Sequence, residues 1–393
     1  MTAESARRLR IGVVGLGRAF SIMIPTFLQD SRVELVAGAD PRDDARRRFA
    51  SDFKARTFLS VESLCADPDV EVVYISTPHQ HHATHAKIAT SRGKHVLVEK
   101  PMALTIADAR SMIEEASRAG IHLIVGHSHS FDAPIKRARQ LIDSGAFGSV
   151  RMITALNYTD YLYRPRRPEE LDTGQGGGAL FNQAPHQVDI VRLLGGGLVR
   201  SLRATAGAWD PRRPTEGAYG ALLTFANGAF ATLTYNGYGH FDSDEFQGWI
   251  GEMGQAKQPK TAAGFRRFAD PAEEAAFKVA HTYGGDGWRA NLLKDSQHQH
   301  FGPIVVSCDN ADLRPLPNGV MIHQNGVARL DSLPAPRIPR VEVIDELYGA
   351  VVHNRPPLHS GAWAMATLEV CLAILRSARE SREVTLRHQV GIS

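Results

Sequence analysis

The sequence predicts an α/β protein in two parts: a doubly wound parallel sheet, followed by an α+β domain with a large, mainly antiparallel open sheet. Three observations carry this prediction. Apolar runs of strand length alternate with helical segments as far as Val125. The first of these strands ends in Gly15-Leu16-Gly17 and the second in Asp40. Beyond Gly126 longer strands follow one another with few helices between them, the mark of a change in architecture.

Residues 9–14, LRIGVV, are apolar enough for a buried strand. Gly15 and Gly17 let the chain turn tightly and approach a pyrophosphate, which the first helical N–H groups, from Arg18 and Ala19 onward, then bind. Phe20 stands where the third glycine of this pattern belongs, which predicts looser packing of helix on strand. Strand 33–39 ends in Asp40, at the spacing where a carboxylate takes the adenosine ribose hydroxyls, so the unit reads as a Rossmann dinucleotide site. Arg42 could pair with a 2'-phosphate, but Asp40 would repel that group, and NAD is expected ahead of NADP. A helix over 42–53 leads to strand 70–76, which ends in Thr77-Pro78-His79. After a helix bounded by Gly93 comes His95-Val96-Leu97-Val98-Glu99-Lys100-Pro101. Glu99 and Lys100 stand at the carboxyl end of a buried strand, where open parallel sheets bind ligands, and Pro101 bars Lys100 from starting the next helix. Alone, Lys100 also reads as a solvated loop lysine. Thr105 as N-cap, Asp108 in the first turn and Gly120 past the end bound the next helix, and 121–125 is another strand.

In the second part, strands are predicted over 150–157, 198–206, 218–225 and 229–236, with Ala226-Asn227-Gly228 as a hairpin turn. One helix over 181–194 interrupts them, another lies near 270–280, and two over 341–352 and 362–377 close the chain. The boundary falls near 127–132. It separates a nucleotide-binding domain, 1–129, from a substrate-binding and oligomerisation domain, 130–393, in which 240–302 carries no assignable role. The informative run is Gly176-Gly177-Gly178, which lets backbone approach something bulky, followed by Asn182 and His186 at i, i+4 on one helix face. The plain alternative is a histidine satisfied inside the domain.

With 43% apolar and 22% charged residues and a net charge of +3 over 393 residues, the chain has no basic stripe. Neither nucleic acid nor a membrane is expected as a partner. Cys65, Cys308 and Cys371 lie far apart, as reduced thiols of a cytoplasmic protein do. No signal peptide or spanning segment is read. Histidines cluster at His79, His81, His82 and His85 and at His298 with His300, but no acidic or cysteine ligand completes a set locally, and no metal is expected.

The Gly15-Gly17 turn, Asp40, Thr77-Pro78-His79 with His82, Glu99-Lys100-Pro101 and the glycine triplet before His186 together resemble the glucose-fructose oxidoreductase, inositol dehydrogenase and rhizopine-catabolism (Gfo/Idh/MocA) family. Arg355-Pro356-Pro357 and the helix after it resemble the family's closing segment, so the likeness covers nearly the whole chain. The resemblance implies an NAD(P)-dependent oxidoreductase, with Lys100 and His186 catalytic. It places Gly15, Gly17, Arg18, Ala19, Asp40, Thr77, Pro78, His79, His82, Glu99 and Lys100 around the cofactor. It also implies a small-molecule substrate and a homo-oligomer, dimer or tetramer, joined through the C-terminal sheet. His79 replaces the family's usual asparagine. Asn182 replaces its common aspartate, which makes His186 less basic than in an aspartate-bearing relative.

The runs 164–171, Phe181-Asn182-Gln183, Phe301-Gly302-Pro303, Val306-Ser307-Cys308 and Leu313-Arg314-Pro315 resemble a narrower branch, the phthalate cis-4,5-dihydrodiol dehydrogenases. That branch implies oxidation of 4,5-dihydro-4,5-dihydroxyphthalate to the catechol, with Asn182 and Gln183 at the substrate. A diacid substrate calls for forked cations, and Arg164, Arg166 and Arg167 sit on the loop before the triplet. Glu169 and Glu170 could equally make that loop a solvated turn. A sugar or polyol dehydrogenase, a redox-neutral NAD-retaining lyase or glycosidase, and a non-catalytic NAD-binding regulator are the competing functions.

Overall fold

The computed structural model describes residues 7–259, 268, 270–288 and 296–392, which fall into two compact units. The first lies within Met1–His127, Ala276–Leu292 and Ile338–Met365, and the second within Ser128–Ala275, Leu293–Arg337 and Ala366–Ser393.

In the first unit, β1 (Leu9–Val14), α1 (Arg18–Gln29), β2 (Val33–Ala39), α2 (Asp43–Phe53), β3 (Arg56–Phe58), α3 (Val61–Cys65), β4 (Val72–Ile75), α4 (His82–Ser91), β5 (His95–Val98), α5 (Ile106–Ala119) and β6 (Leu123–Val125) alternate. Their strands form one parallel sheet in the order β3-β2-β1-β4-β5-β6. The chain reverses direction across the sheet between β1 and β4, the switch point where such sheets bind ligands. Leu9, Ile11, Val13, Val72, Val73 and Leu97 are wholly buried, because strands covered on both faces read as unbroken apolar runs. Thr105 caps α5 by accepting from the Asp108 N–H at 3.0 Å, and Gly120 ends it at φ +63°, both at the expected positions. The short β3 and α3 were not foreseen. The third glycine is not missed: Phe20 is fully buried, its ring 5.6 Å from Phe49 and 5.2 Å from Tyr283, so an aromatic cluster fills the space.

The second unit opens with α6 (Ala133–Asp143), which the sequence reading overlooked, then β7 (Val150–Tyr158), α7 (Gly178–Asn182), α8 (Ala184–Gly195), β8 (Val199–Gly207), β9 (Ala218–Phe225) and β10 (Phe230–Asn236). Along the chain follow α9 (Pro271–Ala280), which straddles the two units, β11 (Ile304–Cys308), β12 (Asp312–Leu316), β13 (Gly319–Gln324), β14 (Val327–Ser332), α10 (Val341–His353), which belongs to the first unit, α11 (Gly361–Glu380), which straddles them again, and β15 (Val384–Thr385). Nine strands form one sheet, β14-β13-β12-β11-β7-β10-β9-β8-β15, antiparallel except where β10 runs parallel to β7. Inward Leu223, Leu233 and Tyr235 are buried beneath outward Leu222 and Phe230, the period-two alternation of a sheet with one covered face. The single helix expected over 181–194 is two helices, broken at Gln183 ahead of Pro185. Among the described residues one helix, α11, is long and apolar enough to cross a membrane by length and composition alone. Its Trp363, Ala366, Leu368, Val370, Cys371 and Ile374 are buried inside the protein, as in the core helix of a globular fold.

Candidate active site

In the first unit the turn after β1 is held from several sides. Gly15 lies at φ +88°, where a Cβ would stand 2.9 Å from the Ser76 carbonyl, so the turn accepts glycine there and little else. The Ser76 hydroxyl donates to Gly15 O at 2.6 Å. Among the described residues a Cβ on Gly17 would meet nothing within 4 Å, and no side chain of Gly17's neighbours caps the first turn of α1, which Arg18 and Ala19 begin. The open side at Gly17 and the donor-rich helix start fit the pyrophosphate of NAD. Asp40, at the end of β2, is buried; its Oδ2 accepts from the Leu16 N–H at 2.8 Å and its Oδ1 from the Arg42 N–H at 2.9 Å.

Thr77, Pro78 and His79 form the next turn, half-buried, and the Thr77 hydroxyl lies 3.1 Å from His85 Nδ1. Burial, with His81 and His82 nearby, pushes the His85 pKa down to about 4, so its neutral ring can accept from Thr77. His82 departs from its expected place. It is fully buried, with Nδ1 2.8 Å from Pro101 O and Nε2 2.8 Å from Thr77 O. It therefore ties the Thr77 turn to the segment after Lys100. Glu99, which the resemblance places at the cofactor, is buried and accepts the Tyr74 hydroxyl at 2.7 Å. Burial raises its pKa above the usual range, against the pull of Arg340. Lys100, half-buried, follows it in a cis peptide with Pro101.

In the second unit the glycine triplet approaches its own chain. A Cβ on Gly177 would stand 2.6 Å from the Glu170 backbone, and one on Gly178, at φ +77°, would collide with Glu216 and Thr215. Glu216, which no motif marked, is buried and accepts from the Leu180 N–H at 3.0 Å and from the Thr173 hydroxyl at 2.5 Å. Burial raises its pKa. The triplet leads into α7, at whose end Asn182 turns back to donate to Gly178 O at 2.9 Å and Gly176 O at 3.2 Å. Because the helix breaks at Gln183, Asn182 and His186 do not share the single helix face that their i, i+4 spacing predicted. Gln183 is buried with its Oε1 unpaired among the described residues.

His186 lies in the first turn of α8, buried, its ring 4.8 Å from His129 and 5.1 Å from Phe301. His129 was not foreseen. Its Nδ1 is 2.7 Å from Asp132 and its Nε2 3.6 Å from Glu252. Burial opposes charge on this ring, yet the two carboxylates outweigh it and hold its pKa above the ordinary value. Burial would likewise raise Glu252, but His129 and Arg164 hold it well below the usual carboxylate range. Phe301 belongs to the Phe301-Gly302-Pro303 run, which together with His186 is what the sequence singled out of this cluster.

The three arginines part company. Arg164 donates from Nε to Asp160 at 3.0 Å, its Nη1 stands 3.9 Å from Glu252, and its side chain is 37% exposed. Among the described residues neither terminal nitrogen donates a hydrogen bond. Arg166 is buried, stacked 3.8 Å over the Tyr161 ring, and donates to Tyr161 O at 2.6 Å. Arg167 Nε pairs with Glu169 at 3.1 Å and Glu170 at 3.5 Å, the self-contained turn that those two acids made possible.

Residues 9–127 match the model of the oxidoreductase family with NAD-binding Rossmann fold, and residues 135–252 that of the GFO/IDH/MocA C-terminal domain. The chain is 52% identical over 379 residues to the 1-carboxy-3-chloro-3,4-dihydroxycyclohexa-1,5-diene dehydrogenase of Comamonas testosteroni, spanning 94% of this chain and 95% of that protein. It is 26% identical to a levoglucosan dehydrogenase of Pseudarthrobacter phenanthrenivorans, over 72% of this chain and 83% of the relative. A solved structure from Bordetella bronchiseptica RB50, assigned to the dehydrogenases, superposes with a TM-score of 0.90 at 39% identity, covering 96% of this chain and all of that one. By both domain matches and by a relative identical at half its positions, the chain belongs to the GFO/IDH/MocA oxidoreductase family and carries its NAD-binding Rossmann domain.

Proposed function

We propose that this enzyme oxidises a carboxylated cis-dihydrodiol of a cyclohexadiene to the corresponding catechol, with NAD as oxidant and 4,5-dihydro-4,5-dihydroxyphthalate as the favoured substrate. The observation that carries the reading is Arg164. It is a cation whose Nε is anchored on Asp160 and whose terminal nitrogens donate no hydrogen bond among the described residues. Glu252 and His129 connect it to His186 through spacings of 3.9, 3.6 and 4.8 Å. A forked guanidinium with its terminal edge open suits a carboxylate. The Comamonas relative acts on a ring bearing one carboxyl group and two adjacent hydroxyls.

Bound NAD supplies the hydride acceptor. His186 takes the hydroxyl proton as the carbinol C–H bond gives up its hydride, and cationic Lys100 stabilises the alkoxide that develops. The first product is a hydroxy-dienone. Its tautomerisation to the catechol gains aromaticity and draws the reaction forward. Phe301 and Tyr235, buried and stacked with ring centroids 6.2 Å apart, pack beside His186 and keep the surroundings of its ring apolar.

The test is a substrate panel read by NADH absorbance: the phthalate dihydrodiol, the chlorinated monocarboxylate dihydrodiol, a carboxylate-free cis-dihydrodiol and several polyols. Stoichiometric NADH with the carboxylated diols, and little with the rest, is the expected result. Turnover confined to polyols, or product without NADH release, overturns it. Leu222, Phe230 and Leu330 expose apolar surface on strands of the nine-stranded sheet, which supports a homo-oligomer formed through that sheet; a monomeric mass by light scattering would refute this. The three free cysteines fit a cytoplasmic protein.

A further inference from the structure

The stretch around Tyr283, to which the sequence alone assigned no role, belongs to the first unit and packs on the nucleotide end of its sheet. Tyr283 is buried, its ring 5.2 Å from Phe20 and 5.0 Å from Trp288, and its hydroxyl donates to Asp52 at 2.8 Å. Gly284, at φ +91°, lies against the start of α2 so closely that a Cβ would stand 2.6 Å from Ala45 Cα. The turn is thus fixed by four contacts, with Phe20, Trp288, Asp52 and Ala45.

What it fixes is Arg42. Arg42 Nε donates to Asp40 Oδ1 at 3.0 Å, and Nη2 donates to Leu16 O at 2.8 Å and to Asp40 Oδ2 at 3.2 Å. Nη1 donates to Tyr283 O at 3.1 Å and reaches Thr282 Oγ1 at 3.5 Å. A guanidinium has five N–H donors, and all five are engaged here. The Asp40 carboxylate is equally full, since the Leu16 and Arg42 amides and two guanidinium nitrogens occupy its four acceptor positions.

We propose that the Thr282–Tyr283 turn locks Arg42 onto Asp40 and thereby makes the site select NAD against NADP. The two cofactors ask different things of this arrangement. A ribose 2'-hydroxyl needs only one acceptor position, obtained by exchanging the longest of the four contacts, Arg42 Nη2 to Asp40, while Nη2 keeps its bond to Leu16 O. A 2'-phosphate needs the guanidinium itself as donor, which means withdrawing it from Asp40, Leu16 O and Tyr283 O together. It must also sit beside a carboxylate left without its cation. Carboxylate repulsion alone is the usual reason for NAD preference. Here the arginine that could have served NADP is disarmed by a turn more than two hundred residues away in the chain.

The experiment measures dissociation constants for NAD and NADP by calorimetry, with no substrate present, for the full-length protein and its variants. Tyr283→Ala removes the aromatic anchor, and Gly284→Ala wedges the turn off α2 while leaving the ring in place. Each should raise NADP affinity relative to NAD by about tenfold, the worth of one charge-assisted hydrogen bond regained by Arg42. Adding Arg42→Ala should abolish the gain. A folded Tyr283→Ala or Gly284→Ala protein with an unchanged NAD to NADP ratio overturns the proposal, and so does a gain that survives Arg42→Ala. If Tyr283→Ala does not fold, Gly284→Ala decides the matter alone.

Discussion

Replacing Arg164 with glutamine isolates what the substrate carboxylate gains from a cation. The variant keeps a polar side chain of similar reach and deletes the charge. A charge-assisted hydrogen bond is worth about 1.5–3 kcal/mol. Asp160 at 3.0 Å and Glu252 at 3.9 Å already draw on the Arg164 charge, which places the loss in the lower half of that range. At 1.4 kcal/mol per factor of ten, kcat/KM for a carboxylated dihydrodiol should fall roughly ten- to fortyfold. For a carboxylate-free cis-dihydrodiol it should hold. The Asp160 ion pair is partly exposed, so its removal should cost at most about 1 kcal/mol and move Tm by only a few degrees, roughly. The same assay separates the neighbouring arginines: Arg167→Gln should leave both substrates alone, and Arg166→Gln should lower Tm because it empties a buried stack on Tyr161. Equal loss on both substrates with Arg164→Gln, or no loss on either, refutes the carboxylate role.

Lys100→Ala and His186→Ala should each reduce turnover by orders of magnitude while the NAD dissociation constant stays nearly unchanged; normal turnover in both removes the proposed mechanism. Gly15→Ala should weaken NAD binding by calorimetry, since it forces a Cβ toward the Ser76 carbonyl at a left-handed φ, a strain of about 1–3 kcal/mol. Glu252, whose pKa is depressed in the folded state from an ordinary 4.5, contributes stability that is present above pH 4.5 and lost as pH falls below it. Glu252→Gln should therefore destabilise the protein to denaturant at neutral pH, and the gap to the parent should narrow in acid. A gap that stays constant or widens in acid contradicts that account.

Much of the first unit is legible in the sequence because its strands are covered on both faces and its helices carry their own end signals. Val33–Ala39 is apolar without interruption except for Glu34, and Thr105, Asp108 and Gly120 mark α5 without help from elsewhere. In the second unit the local signals mislead. No element was assigned to 133–143, yet Pro134 stands in the first turn, where a helix can begin, and Ile135, Ala138 and Ile142 behind it form the buried stripe of α6. Pro185 acts the same way, opening α8 and so ending α7, which is why the expected single helix is two. Strands β11 to β14 are five or six residues each and separated by tight turns. Runs that short are ambiguous without their partners.

The harder omission is chemical. His129 gains its character from Asp132 three residues on, but also from Glu252 and Phe301, more than a hundred residues away, and none of these spacings forms a motif. The glycine triplet makes the same point from the other side. Three glycines announce that backbone must come close to something, and a ligand is the natural guess. The partners turn out to be the Glu170 backbone and the buried carboxyl of Glu216, which holds the start of α7 through the Leu180 N–H. A glycine records the tolerance of its own position and says nothing of what fills the space. A reading from sequence alone can therefore find the loop that must fit tightly, while the acid that shapes it becomes visible only when the fold brings the two together.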